Sequence, residues 1–245
     1  MSAPAQPSRW GVVSGRIDRL GQTRPDVVLL APYMVYLLLL GLVSVVPPTW
    51  EWLAIAIRGV GSLAVVWAFR RHLPAWGKPY WTTALLGGLA AAYLWYAGQY
   101  LFDWIGLGGR LPVYPGEKVV TDPRDVLGAR GLFHVTVTLR IIVAITAVPI
   151  VEELFWRAFL LRWLIDRDNF ERVPLGKFTW FSFLATSLLS TIQHPDNWAV
   201  SIFCWMLFNA LFYWTRSIKC LVLVHALTNL LLYLYVLKVD DWAFW

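Results

Sequence analysis

The chain has 245 residues, is 58% hydrophobic and 15% charged, and carries 16 tryptophans and a net charge of +6. Soluble domains run at roughly 45–50% apolar and about 25% charged, so this composition argues against an ordinary soluble protein and for a polytopic membrane protein. Its basic residues collect between apolar runs, which suits membrane topology and anionic headgroups rather than nucleic acid.

The two cysteines, Cys204 and Cys220, form no CxxC pair and read as buried thiols. Residues 1–26 carry Arg9, Arg16, Arg19 and Arg24 but no apolar core of a signal peptide, so the first apolar run is expected to stay as an anchor. The length suits one membrane domain, 27–238, behind a cytoplasmic segment 1–26.

Seven stretches approach the roughly 20 apolar residues that a helix needs to cross the hydrocarbon. The first, Val27–Val46, has no charge and ends at Pro47-Pro48. The second, Trp52–Phe69, holds one charge, Arg58, which can snorkel toward a helix end. The third, Tyr80–Phe102, has Gly87-Gly88 and Ala91-Ala92 at a spacing that favours close helix contact. Asp103 to Arg130 then forms the longest loop, with three prolines and five glycines, and is expected to be a connector more than a cap.

The fourth stretch runs from Gly131 to Leu164 and holds Glu152, Glu153 and Arg157. Pro149 precedes Glu152 by three residues and removes a backbone hydrogen bond, so a kink is expected there. The fifth, Phe178–Gln193, is short and ends at His194-Pro195. The sixth is Trp198–Trp214, and the seventh, Cys220–Leu237, carries His225 and Asn229 four residues apart on one face. The expected architecture is an all-α polytopic bundle of about seven transmembrane helices.

Ionised groups in hydrocarbon are costly unless paired or wet, so these polar residues are candidates for function. Glu153 and Arg157 have the i, i+4 spacing and order of an ion pair. Glu152 is rotated about 100° from Glu153 around the helix, and the neighbouring carboxylate disfavours its ionisation, as a general base near neutrality requires. The plainer reading makes both acids ion-paired glue and His194 a helix-capping residue facing the headgroups.

Two chemistries fit one acid and two histidines. In one, Glu152 takes a proton from water, the histidines position that water, and Asn229 donates to the oxyanion. In the other, Glu152, His194 and His225 hold a divalent metal such as zinc, which activates the water. The spacing is not HExxH, so metal ligands would have to converge through the fold.

The order EExxxR at 152–157, a helix ending in His194, and HxxxN at 225–229 resembles the type II CAAX prenyl endopeptidase and bacteriocin-processing family of intramembrane proteases. The resemblance covers about Leu139 to Leu237, with a protease-like core at 131–238. It departs from the family at Ser190, where a phenylalanine is usual, a change expected to affect packing.

The resemblance implies that Glu152 is the catalytic acid/base, that His194 and His225 are catalytic or metal-binding, that Asn229 stabilises the oxyanion, and that Glu153 and Arg157 support them. It implies a peptide or lipidated protein substrate in the bilayer, with either a glutamate-type or a metal-dependent mechanism. Two rivals are a non-proteolytic scaffold or immunity protein and a proton- or ion-coupled transporter. No pair of interrupted spans at matching positions in two halves supports the transporter.

Counting lysine and arginine gives thirteen at the N-terminal side of the bundle and five at the other. That bias puts the N-terminus in the cytoplasm, in the inner (plasma) membrane if the source is bacterial. On this topology, Glu152 lies toward the inside and His194 toward the outside, and only short, tilted helices or redrawn spans bring them together.

Overall fold

A computed structural model describes residues 9–116, 120–128 and 130–244, and their side chains except at 9–13 and 130. Residues 1–8 of the N-terminal segment and the side chains of Arg9, Lys118 and Arg130 lie outside this description. The described residues form helices, turns and loops, without strands.

Each of the seven apolar stretches is helical. They become α2 (Pro25–Val43), α3 (Glu51–Ala68), α4 (Trp81–Trp104), the α6–α8 run, α9 (Trp180–Gln193), α10 (Trp198–Thr215) and α11 (Ile218–Val239). The α6–α8 run comprises α6 (Arg130–Ile145), α7 (Ala147–Glu153), a π-helical segment Leu154–Leu160, and α8 (Leu161–Trp163).

Among the described residues, five segments are long and apolar enough to cross a membrane: Pro25–Val43, Pro48–Ala68, Gly131–Trp163, Pro195–Thr215 and Ile218–Val239. The protein is an integral membrane helix bundle, with five such segments where the sequence suggested seven. α9 has 14 residues and spans about 21 Å, short of the roughly 30 Å hydrocarbon core. α4 has 24 residues, but its glycines, tyrosines, threonines and Gln99 dilute its apolar character.

Two short helices complete the chain. α1 (Arg9–Thr23) is amphipathic, with Arg16 and Arg19 exposed and Ile17 packed on the core. Its charges hid it from a search for apolar runs. Asp18 pairs with His72 after α3 at 3.3 Å, holding α1 at that end of the bundle. α5 (Pro123–Leu127) interrupts the long loop, with the Asp122 carboxylate capping its first turn.

The kink expected from Pro149 falls at Thr146, where the backbone leaves the helical range at φ −119°, ψ −74°. Pro149 has no N–H to give and its ring crowds the carbonyl four residues earlier, so the ladder breaks on the N-terminal side of the proline. The π-helical turn follows directly after the two acids, and such insertions widen a helix and re-aim its side chains.

α4 lies along α11 and also against α10, while α2 packs on α3 and α9 on α10. The α4–α11 contact depends on missing side chains. A Cβ on Gly88 would sit 2.8 Å from Leu227 Cβ, and one on Gly87 would meet Leu211 and Val224. Ala91 and Ala92, at 0% and 2% exposure, continue this seam. α9 meets α10 through polar groups: Ser190 Oγ lies 3.1 Å from Ser201 Oγ, and Asn209 Nδ2 donates to Thr186 Oγ1 at 2.9 Å. Ser190 therefore fills a fully buried packing position.

Arg58 does not snorkel. It is 8% exposed, and its guanidinium lies over the Tyr36 ring at 4.9 Å.

Gly88→Ala is expected to lower stability by about 1–3 kcal/mol, because Leu227 Cβ is close to backbone and cannot swing aside. Gly109→Ala, which meets nothing within 4 Å, is expected to stay within about 0.5 kcal/mol of the parent. Thermal unfolding of the detergent-solubilised variants checks both.

Candidate active site

The two adjacent carboxylates leave α7 in different directions. Glu153 is fully buried and has three contacts. Its Oε2 lies 3.2 Å from Arg157 Nε, its Oε1 accepts from Arg157 Nη1 at 3.3 Å, and the same Oε1 is 3.0 Å from His225 Nδ1. The Arg157 guanidinium, also fully buried, sits near the rings of Trp205 and Phe208 at 5.5 and 5.4 Å. Glu153 thus pairs with Arg157 at its helical spacing and also fixes the His225 ring on α11, a contact across 72 residues that spacing alone does not reveal.

Glu152 faces a cavity of about 350 Å³. Its walls include Glu152, His194, His225 and Asn229, together with Gln193 and Trp95. Glu152 Oε2 is 4.0 Å from His225 Nε2, beyond direct hydrogen-bonding reach, so the two groups face a common space.

Gln193 Nε2 donates to Glu152 Oε1, while Gln193 Oε1 accepts from the Trp156 indole N–H at 3.1 Å. An indole N–H can only donate, so it turns the Gln193 amide with its N–H toward the carboxylate. The sequence reading did not find Gln193. Its only signal was adjacency to His194 at the end of a helix.

His194 does not reach for the headgroups. Its ring lies between Trp95 and Trp205, with centroids 5.0 and 5.2 Å away. The long loop braces this turn: Leu111 N–H donates to the Pro195 carbonyl at 2.8 Å, and Arg110 pairs with Asp196 at 3.4 Å. The loop supports the wall from behind, and the turn Trp242–Phe244 after α11 contributes lining residues instead.

Asn229 Nδ2 donates to the Ala144 carbonyl at 2.8 Å, two residues before the break. That bond ties α11 to the kinked helix and leaves one amide hydrogen for another acceptor. A smaller recess behind the cavity is lined by Trp95, Cys204, Trp205 and Phe208.

The placement of Glu152 and His194 in one cavity has a simple geometric reason. α9 has 14 residues and rises about 21 Å, less than the roughly 30 Å hydrocarbon core, so crossing by α9 does not separate His194 from Glu152 by a full membrane thickness. The cavity runs toward the end of the bundle where α2, α9 and α11 finish, as its lining by Leu37, Leu40, Asn197, Tyr233 and Phe244 requires. Among the described residues, no three His, Cys, Asp or Glu side chains converge as a metal-ligand group. Glu152, His194 and His225 line the same space and are the residues that would hold a divalent metal there.

The fold and cavity define an integral membrane helix bundle with a paired-carboxylate and histidine site. Residues 134–231 match the model of the Rce1-like family, the type II CAAX prenyl endopeptidases, and over that stretch the chain is similar to that family. The match covers less than half of the chain and includes Glu152, His194, His225 and Asn229. No curated protein and no solved structure matches the chain.

Arg157→Met is expected to cost about 3–5 kcal/mol, because it leaves the Glu153 charge buried and unpaired. Adding Glu153→Gln to that variant is expected to recover part of the loss. Thermal unfolding of the two variants in detergent measures both effects.

Proposed function

We propose that the protein is an intramembrane endopeptidase that hydrolyses a peptide bond in a membrane-associated or lipid-linked substrate. The observation that carries this reading is the convergence of Glu152, His194, His225 and Asn229 on one cavity in an Rce1-like bundle.

In this mechanism Glu152 takes a proton from a water as the water oxygen bonds to the scissile carbonyl carbon. The Asn229 hydrogen not engaged by Ala144 donates to the oxyanion. His225, with Nδ1 held by Glu153, turns Nε2 toward the water, and His194 positions the substrate between the two tryptophans. The C–N bond then breaks and Glu152 passes its proton to the leaving amine, giving a carboxylic acid and an amine. Gln193 and Trp156 hold the Glu152 carboxylate in orientation.

The lysine and arginine bias supports an N-terminus in the cytoplasm, in a bacterial plasma membrane. With that orientation the cavity opens away from the cytoplasm, so the substrate bond is presented from the outer side. A processed peptide or sorted surface protein suits such a site.

Cleavage of a membrane-peptide library by the purified protein tests the activity. Glu152→Gln is expected to lose about 10²–10⁴-fold in rate while keeping the parent unfolding temperature, and His225→Ala to lose as much with a lowered one, since it removes a partner of the buried Glu153. Full activity in either one overturns the mechanism. Stoichiometric zinc in the parent that disappears in His194→Ala overturns the metal-free version.

A cysteine introduced at Asp240 is expected to react with a membrane-impermeant thiol reagent in intact cells, since Cys204 and Cys220 are buried. Reaction only after cell lysis would reverse the orientation.

A further inference from the structure

Beside the Glu152 cavity lies a second one, of about 560 Å³, between α2, α3 and α6. Two arginines line it, Arg58 on α3 and Arg140 on α6. Arg58 belongs to a helix apolar enough to span the membrane, and more than nine-tenths of it is buried. A buried guanidinium is costly unless it is paired and hydrogen-bonded. Among the described residues no carboxylate lies within ion-pair distance of Arg58, and its Nε has no hydrogen-bond partner. Its guanidinium rests on the Tyr36 ring face. Glu51 lines the same cavity without pairing with it.

Arg140 donates from its Nε to the Tyr233 hydroxyl at 3.4 Å on the wall of the same cavity. The cavity therefore presents the Arg58 guanidinium, which has no carboxylate partner among the described residues, beside a second cationic side chain.

Its position indicates where that partner comes from. Tyr36, Leu37, Leu40 and Tyr233 line both cavities. Tyr36 also lies within electrostatic reach of Glu152, Arg58 and Arg140. A single extended ligand can therefore pass along this wall with one part beside Glu152 and an anionic part beside the arginines. We infer that Arg58, assisted by Arg140, is an anion subsite that holds a carboxylate of the peptide substrate while the scissile bond lies beside Glu152.

A guanidinium fork matches the two oxygens of a carboxylate. The inference rests on the endopeptidase reading for the identity of the ligand, but not for the presence of the subsite. A phospholipid headgroup offers the same charge. The shared walls favour the substrate, because a lipid phosphate has no need of continuity with the Glu152 cavity.

The test is a binding measurement, so it does not depend on cleavage. Fluorescent apolar peptides are prepared in two matched pairs: a free C-terminal carboxylate against its carboxamide, and an internal glutamate against glutamine. Fluorescence anisotropy is read with the full chain carrying Glu152→Gln in phosphatidylcholine nanodiscs. In at least one pair the charged peptide is expected to bind about tenfold more tightly than its neutral twin. Arg58→Met should erase that preference, leave the neutral peptide unchanged, and keep the unfolding temperature, because it removes a charge that has no partner. Arg58→Lys should restore part of the preference.

Equal binding within both pairs overturns the inference, as does equal weakening of charged and neutral peptides by Arg58→Met. A lipid site would appear instead as stabilisation by phosphatidylglycerol nanodiscs that Arg58→Met abolishes, without any charge preference among the peptides, and that result also overturns it. If the parent protein cleaves nothing while the Arg58-dependent preference persists, the subsite stands and the endopeptidase reading fails.

Discussion

Glu153 is the group on which the arrangement depends. It has no access to solvent, and it joins an arginine four residues on to a histidine on the last helix. A carboxylate so buried is tolerable only with its charge met by a close cation. Meeting that requirement fixes the rotation of α7 and the ring of His225 together. Glu152, one residue earlier, is then aimed at the cavity with its own oxygen held by Gln193. The two acids, identical in type, divide between holding the structure and facing the open space.

The break at Thr146 and the π-helical turn after Glu153 frame these residues on either side. A straight α-helix would carry the acids along a uniform face. Here Pro149 opens the ladder, Asn229 supplies a hydrogen bond near the opening, and the wider turn lets Arg157 reach Glu153 while Trp156 turns to Gln193. The local irregularity is where α7, α9 and α11 are tied to one another.

Much of this was legible in the chain. The apolar runs give every long helix, because a membrane leaves the backbone few alternatives to helical hydrogen bonding. The different directions of Glu152 and Glu153 follow from i, i+4 spacing to Arg157. What spacing could not supply were contacts between distant segments. Glu153 with His225 and Gln193 with Glu152 join positions 72 and 41 residues apart. α1 was missed because its apolar face is narrow and its charges dominate the run. The apparent conflict between the depths of Glu152 and His194 came from treating the fifth stretch as a full span. Its 14 residues rise less than the thickness of the hydrocarbon core. Arg58 was misread for a related reason: sequence shows how far an arginine can stretch, but not that a tyrosine ring waits beside it.

The glycine and alanine seam of α4 works as a gauge for the neighbouring helix. At Gly87 and Gly88 the side chains of Leu211, Val224 and Leu227 from α10 and α11 close onto the α4 backbone, and Leu227 does so from its Cβ, which cannot swing aside. α11 also carries His225 and Asn229, so the thickness of this seam sets how far those two stand from Glu152 and Ala144. Variation can therefore accumulate freely on the lipid-facing surface of α4, where Leu85, Leu86, Leu89 and Tyr93 are exposed. One added methyl on the opposite face would move an entire helix. The tolerance of this helix to change is one-sided, and redesign of what the cavity accepts belongs at Leu37, Leu40 or Tyr233 rather than at the seam.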